Sequence, residues 1–332
     1  VEVAVVILNW NGEAVLPKFL PSVCRHSKDA RIYLIDNAST DGSVAWVRRH
    51  YPEIEIVELS ENYGFAGGYN RGLKQIGEAV YALINSDLEV TAGWLDPIRR
   101  FLLDHPEVAV VQPKIKDFRR RDRFEYAGAA GGFQDMLAYP YCRGRIFQEI
   151  EDDRGQYEAP IPIQWATGAC MIVRKSVFDA VGGFDDQYFA HQEEIDLCWR
   201  IRNRGHQVFF HGASTVYHLG GATLEHSHPR KTFLNFRNSL FNLVKNAPRE
   251  MLIYLIPLRL FLDGVAGLYF LVQFKAEHAW AIVKAHFSFY VLFVAMYRKR
   301  SKMVNKKYYH CQSIVYLHFV KGIKTFSSLG KD

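Results

Sequence analysis

Along the first half of the chain, short apolar runs alternate with stretches in which apolar residues recur every three or four positions. Residues 3–8 form a run with almost no polar interruption, the pattern of a parallel strand covered on both faces. A helical stretch at 13–26 follows, then a strand at 32–35 that ends on Asp36. Helix 43–51, strand 54–59, helix 67–76 and strand 81–84 continue the alternation, and helix 93–104 leads into a strand at 108–112. This spacing predicts right-handed βαβ crossovers, hence an α/β fold with a mostly parallel open sheet flanked by helices. Ligands of such sheets bind beyond the carboxyl ends of the strands, where Asp36 and Asp87 both fall.

Residues 114–163 break the pattern. They carry the run Arg119-Arg120-Arg121-Asp122-Arg123 among scattered glycines and aromatics, and read as an insertion or long loop over the sheet edge with a solvated charge run. Regularity returns with a strand-like run at 164–174, interrupted by Thr167-Gly168-Ala169. Helices at 175–181 and 193–204 and strands at 207–211 and 216–218 follow.

The last quarter has a different texture. Residues 252–274 are apolar over a length that could cross a bilayer, yet Arg259 and Asp263 lie one turn apart on one face and Pro257 interrupts the start. An interfacial or partner-packed helix fits that pattern better than a span. A second apolar stretch at 280–297 runs into Arg298, Lys299, Arg300, Lys302, Lys306 and Lys307. Apolar helices beside a polybasic cluster suit the anionic cytoplasmic leaflet; a helical subdomain packed on the core is the alternative. The expected division is therefore 1–245 for the α/β domain and 246–332 for a helical, basic, membrane-associating segment.

Composition sharpens this division. With 332 residues, 49% hydrophobic and 23% charged, the chain can bury a large core, and wholesale disorder is excluded. The net charge of +6 is uneven: from residue 251 onward there are 12 Lys and Arg against 3 Asp and Glu, so the rest of the chain is slightly acidic. The basic tail lacks an interleaved RNA-binding motif, and no nucleic acid partner is expected. Five widely spaced cysteines with no CxxC pair point to a reducing compartment. The opening Val-Glu-Val-Ala-Val-Val-Ile-Leu reads as a strand, not a signal peptide.

Four polar clusters could carry chemistry. Asp36 opens Asp-Asn-Ala-Ser-Thr-Asp-Gly after a strand, where a carboxylate can accept hydrogen bonds from a nucleobase or ribose, or simply make the turn. The glycine-rich stretch from Asn62 to Gly72, including Gly67, lies between strand and helix, where backbone amides can approach a ligand. It matches neither GxGxxG nor a P-loop, so dinucleotide binding is poorly supported. Asn85-Ser86-Asp87 ends a strand, the place where an oxygen ligand for a diphosphate-bound divalent cation is needed. Glu193, Glu194 and Asp196 start a helix, where neighbouring carboxylates raise one another's pKa and suit a general base, or pair with the helix dipole. His218 follows in Tyr-His-Leu-Gly-Gly, as a ligand or a structural histidine.

In their order these motifs resemble glycosyltransferase family 2, the inverting nucleotide-sugar transferases of the GT-A fold, over roughly residues 3–245. Val-Ile-Leu-Asn-Trp-Asn-Gly, Asp-Asn-Ala-Ser-Thr-Asp-Gly, Ile-Asn-Ser-Asp, Glu-Glu-Ile-Asp-Leu-Cys-Trp-Arg and Tyr-His-Leu-Gly-Gly carry the likeness. They are most similar to the rhamnosyl- and galactofuranosyltransferase-like branch that builds bacterial surface polysaccharides. The resemblance implies a UDP- or dTDP-linked sugar donor held by Asp36, with Asn9, Asn62, Gly67, Asn85 and Ser86 around it. It implies Mg2+ or Mn2+ on Asp87 and His218, and Glu194 as catalytic base flanked by Glu193 and Asp196. Thr167, Gly168 and Arg237 would lie near acceptor or phosphate. The implied acceptor is a glycan or polyprenyl-diphosphate-linked hydroxyl, and the implied location is cytoplasmic, peripheral to the inner face of the cell membrane. Two positions depart from the family pattern: Asn85 stands where an acid is usual, and Glu194 where Asp is usual. Were both changes disabling, the chain would be a noncatalytic nucleotide-sugar-binding protein of the same fold. The sugar and acceptor depend on the loops at 114–163 and 219–230.

Overall fold

The computed structural model describes residues 1–220 and 228–330, so most of the loop at 219–230 lies outside the described residues. In chain order the strands are β1 (Val3–Asn9), β2 (Arg31–Asp36), β3 (Glu55–Glu58), β4 (Val80–Asn85), β5 (Leu88–Val90), β6 (Val108–Asp117), β7 (Gly132–Gln134), β8 (Pro140–Cys142), β9 (Arg145–Ile146), β10 (Glu149–Ile150), β11 (Ile161–Pro162), β12 (Cys170–Arg174) and β13 (Gln207–His218). The helices are α1 (Leu16–His26), α2 (Ser43–His50), α3 (Gly64–Gly72), α4 (Asp96–Asp104), α5 (Lys175–Ala180), α6 (Glu193–Asn203), α7 (Pro229–Asn246), α8 (Leu252–Val272), α9 (Ala276–Arg298) and α10 (Ile314–Phe319).

The main sheet runs β11-β13-β6-β12-β4-β1-β2-β3, with β5 paired to β13. β3, β2, β1 and β4 are mutually parallel. β1 splits its side chains between two cores: Val3, Val5 and Ile7 join α1 and α4 on one face, and Ala4 and Val6 join α3 and α6 on the other. That two-sided burial explains its unbroken apolar run. On α1, Leu16, Phe19, Leu20 and Val23 are buried at helical spacing. β12 enters antiparallel between β4 and β6, so the sheet is mixed, and β6 lies one strand farther out than a simple crossover would put it.

Of the two readings of residues 114–163, the structure has an insertion and not a long loop. β7 to β10 form a second, four-stranded antiparallel sheet, and Phe124, Phe133, Tyr141 and Ile146 join the core on the α3 face. Arg119 to Asp122 are exposed, as expected of a solvated charge run. The chain after residue 300 returns to this small sheet: the His310 N–H donates to the Gln134 carbonyl (2.9 Å) and the Ile314 N–H to Asp135 Oδ2 (2.9 Å). The basic tail is thus fastened to the α/β body, not hung from it.

Candidate functional site

At the end of β1, Asn9 is fully buried, and its Nδ2 donates to Asp36 Oδ1 (2.9 Å), Ser39 Oγ (3.1 Å) and Ser43 Oγ (3.0 Å). The Ser39 N–H and hydroxyl donate to the two Asp36 oxygens at 3.0 and 2.6 Å. Asn9 therefore sets the Asp36 carboxylate from beneath. Asn37, which sequence reasoning passed over although it lies inside the Asp36 motif, ties this strand end to the next. Its Nδ2 reaches Asn62 Oδ1 and the Gly64 carbonyl, both at 3.0 Å, and its Oδ1 accepts from the Tyr63 N–H (3.0 Å). Asn62 Oδ1 also takes the Gly64 N–H (2.9 Å).

α3 starts at Gly64, so Gly67 falls inside the helix and not at an open N-terminus. The first free amides, of Phe65 and Ala66, point at the Phe189 carbonyl (2.8 and 3.3 Å). The expectation that this stretch offers backbone amides to a ligand is corrected accordingly: the glycines serve close packing. Gly64 has φ of +71°, and a Cβ there would lie 2.7 Å from Phe189. A Cβ on Gly67 would meet Arg71 and Tyr63, both at 2.9 Å.

A second cluster forms where β4 ends. His218, last residue of β13, brings Nε2 to 3.1 Å from Asp87 Oδ1 and 3.3 Å from Asn85 Nδ2. Its other ring nitrogen faces Glu125 Oε1 at 3.4 Å. All of Asp87, His218 and Glu125 are buried. Burial alone would lower the His218 pKa, but the Glu125 and Asp87 carboxylates outweigh it and raise it to about 10. Burial opposes ionisation of Asp87 too, and the imidazole overrides it, holding the carboxyl below its usual range. Glu125 was missed from sequence because it lies in the segment read as an insertion or long loop. Ser86 makes the turn between Asn85 and Asp87. Thr167 and Gly168 lead into β12 beside them: the Asn85 N–H donates to the Ala169 carbonyl (3.0 Å), and the Thr167 N–H to Gln112 Oε1 (2.9 Å).

The third cluster begins α6. Burial raises the Glu194 pKa to about 7, against partial relief from backbone N–H groups at the helix start. Burial and the neighbouring Glu194 charge push Glu193 well above its ordinary value. Oε2 of each is buried without a hydrogen-bond partner. Asp196 behaves oppositely and requires a correction. It does not orient Glu194: its carboxylate takes Arg200 Nε (2.7 Å), Lys245 Nζ (2.8 Å) and Asn246 Nδ2 (2.9 Å), clamping α6 to α7. Burial would raise its pKa, and the Arg200 and Lys245 charges hold it far below the carboxylate range.

Before α6 the chain passes through three left-handed residues, Phe189, His191 and Gln192. Asn238 of α7 holds that turn, its Nδ2 lying within 2.8–3.2 Å of the Tyr188, Ala190 and His191 carbonyls. Arg237, expected near phosphate, donates instead to the Gln187 and Tyr188 carbonyls (3.1 and 3.3 Å). Burial raises the pKa of the Cys142 thiol against the nearby Arg145 guanidinium, and the Glu125 and Glu194 carboxylates add smaller contributions in the same direction.

The family description Glycosyl transferase family 2 matches residues 4–182, more than half the chain. The chain belongs to glycosyl transferase family 2. Over 239 residues this glycosyltransferase is 26% identical to N-acetylglucosaminyl-diphospho-decaprenol L-rhamnosyltransferase of Mycobacterium tuberculosis, covering 66% of this chain and 76% of that protein. GalNAc-T7, solved with UDP, GalNAc and Mn2+, superposes with a TM-score of 0.54 at 17% identity, covering 65% of this chain and 43% of that one. Mannosyltransferase PcManGT from Pyrobaculum calidifontis, solved with GDP-Man and Mn2+, gives 0.53 at 15% identity over 89% of this chain and 75% of its own. Those likenesses show the GT-A fold.

A divalent cation is compatible with the residues of this family 2 enzyme. Among the described residues no three or more His, Cys, Asp or Glu side chains converge on one point, and those residues offer two donors, Asp87 and, once its ring has given up the proton that Asp87 and Glu125 favour, His218. A hard cation that keeps waters and takes the remaining oxygens from a diphosphate needs no more.

Proposed function

We propose that this glycosyltransferase moves a sugar, with inversion, from a UDP- or dTDP-linked donor to a hydroxyl of a glycan carried on a polyprenyl diphosphate. The observation that carries the reading is Glu194: a carboxylate in the first turn of α6 whose Oε2 is buried without a hydrogen-bond partner, with its pKa raised by burial to about 7. Asp36, set by Asn9 and Ser39, accepts from the base or ribose of the donor. Asp87 and the neutral form of His218 would hold Mg2+ or Mn2+, which when bound neutralises charge on the diphosphate. Asn62, Asn85 and Ser86 line the donor side, and Thr167 and Gly168 the acceptor side. Glu194 takes the proton from the acceptor hydroxyl as its oxygen attacks the anomeric carbon opposite the leaving diphosphate. Glu193, protonated beside it, keeps a second negative charge out of the pair. The 26% identity to a transferase named for a decaprenol-linked acceptor supports a lipid-borne acceptor, and with it a position at the cytoplasmic face of the cell membrane.

The test is donor turnover with Mn2+ across a panel of nucleotide sugars and a polyprenyl-diphosphate acceptor. Loss of turnover in Asp87→Ala and Glu194→Ala, with donor binding retained in Glu194→Ala, is the expected result. Wild-type binding of donor with no turnover on any acceptor would mark a noncatalytic sugar-nucleotide binder.

A further inference from the structure

α8 is built inside out. Its buried residues are Leu255, Arg259 and Asp263, four apart on one stripe, whereas Ile253, Phe261, Leu268 and Val272 are 83, 67, 64 and 78% exposed. A helix on a water-facing surface shows the reverse arrangement. Both charged residues of α8 are spent inward. Arg259 donates to Asp263 Oδ1 (2.8 Å), the Leu137 carbonyl (2.8 Å) and Ser239 Oγ (2.7 Å). Asp263 also accepts from the Tyr139 hydroxyl (3.1 Å) and lies 3.3 Å from His286 Nε2 of α9.

α9 lies along α7 from end to end. Thr232 Oγ1 meets His278 Nδ1 at 2.7 Å at one end, and the Ser301 N–H reaches the Lys245 carbonyl at 3.2 Å at the other. Phe289 and Met296 are buried against Leu240, Phe241 and Val244. The opposite face presents Trp280, Phe287, Val291 and Val294, 61, 71, 67 and 58% exposed.

Each helix is long and apolar enough to cross a bilayer. Spanning, however, would carry the Arg259–Asp263 pair at mid-helix, together with Leu137, Tyr139 and Ser239 of the catalytic body, to the depth of the hydrocarbon. Unpaired or half-solvated polar groups are costly there. Lying flat avoids that cost while covering the outward apolar face. Arg298, Lys302 and Lys307 are exposed at the end of α9 with no carboxylate partner among the described residues, which favours an anionic surface.

We propose that the α8–α9 hairpin is an in-plane docking plate for an anionic lipid bilayer, keyed to the catalytic body by the Arg259–Asp263–His286 network. It deepens the reading of a membrane-borne acceptor in one respect. The first turn of α9 meets the first turn of α7, where the Arg230 guanidinium lies 5.0 Å over the Phe189 ring, and the Phe189 carbonyl caps α3 beside the site. Docking would therefore hold this end of α7, and the Phe189 turn it touches, close to the membrane.

The full chain is floated with sealed vesicles of phosphatidylcholine alone or mixed with phosphatidylglycerol. The expected result is binding to the mixed vesicles, weakened by salt and released by alkaline carbonate. A Phe261→Asp/Phe287→Asp variant should bind about tenfold or more weakly, with unchanged melting temperature and unchanged Mn2+-dependent donor turnover. Carbonate-resistant insertion, with a Phe274→Cys probe labelled from the far side of the vesicle, overturns the proposal in favour of a span. A lipid-indifferent dimer that the double variant dissolves overturns it in favour of a second copy. Donor turnover measured on the same samples separates either failure from a failure of the glycosyl-transfer reading.

Discussion

Replacing Glu194 by Gln should stabilise the protein while removing its activity. The Glu194 carboxyl is raised from 4.5 to about 7 in the folded chain, so the folded state binds this proton more tightly than the unfolded state does. Its contribution favours folding below pH 4.5, is lost as the pH rises from there through 7, and is gone by pH 8. At 1.36 kcal/mol per unit, the ionised group disfavours the folded state at pH 8 by about 3 kcal/mol. Gln has the same shape, can still accept from the backbone amides at the start of α6, and does not ionise. The variant should therefore melt about 4 °C higher than wild type at pH 8 and nearly level with it at pH 5. Transfer should fall by about 10²–10⁴, the usual contribution of a general base. Wild-type turnover should itself rise with pH through about 7. Melting scans at the two pH values and an initial-rate assay on the same preparations decide the matter. A variant that melts lower at pH 8, or that transfers within a few-fold of wild type, refutes the assignment.

Glu125→Gln should weaken Mn2+ binding by about 10- to 100-fold without unfolding the chain, because the carboxylate that orients the His218 ring is lost; titration followed by Mn2+ resonance checks it. Asp196→Ala should cost about 3–5 kcal/mol in denaturant unfolding, since Lys245 and Arg200 lose a buried counter-charge. The stability that Asp196 supplies is present above the unfolded carboxylate range and should fade as the pH is lowered through it. Asn238→Ala should lower kcat by about tenfold or more and broaden or shift the pH profile while leaving donor KM close to wild type, because it frees the turn that sets Glu194. An unchanged profile would assign Asn238 to folding alone.

The parallel half of the sheet was legible because β1, β2 and β4 are buried on both faces, which leaves little room for polar residues. The antiparallel entry of β12 was not, since strand direction depends on the path of the chain between strands and leaves no local mark. The strands inside the insertion at 114–163 were illegible for a related reason: they are two or three residues long, too short to show a period. Glu125 lay hidden there, and it acquires a role only when that segment folds back on His218. Asp196 could have been read correctly. Two positions beyond Glu194 on a helix is a turn of about 200°, so the two carboxylates face opposite sides. The placement of Asp36, Asp87 and His218 at or just beyond strand ends was legible because the apolar runs stop there, where the fold collects its polar groups. The apolar C-terminal helices were legible as helices, but which face looks outward followed only from the inward pairing of Arg259 and Asp263.

With Glu194 as base on the acceptor face, transfer is a single displacement. Its most direct test is the anomeric configuration of the transferred sugar in the isolated product, read by proton NMR against the configuration of the nucleotide-sugar donor. Inversion is expected, and a product of retained configuration rules out a single displacement.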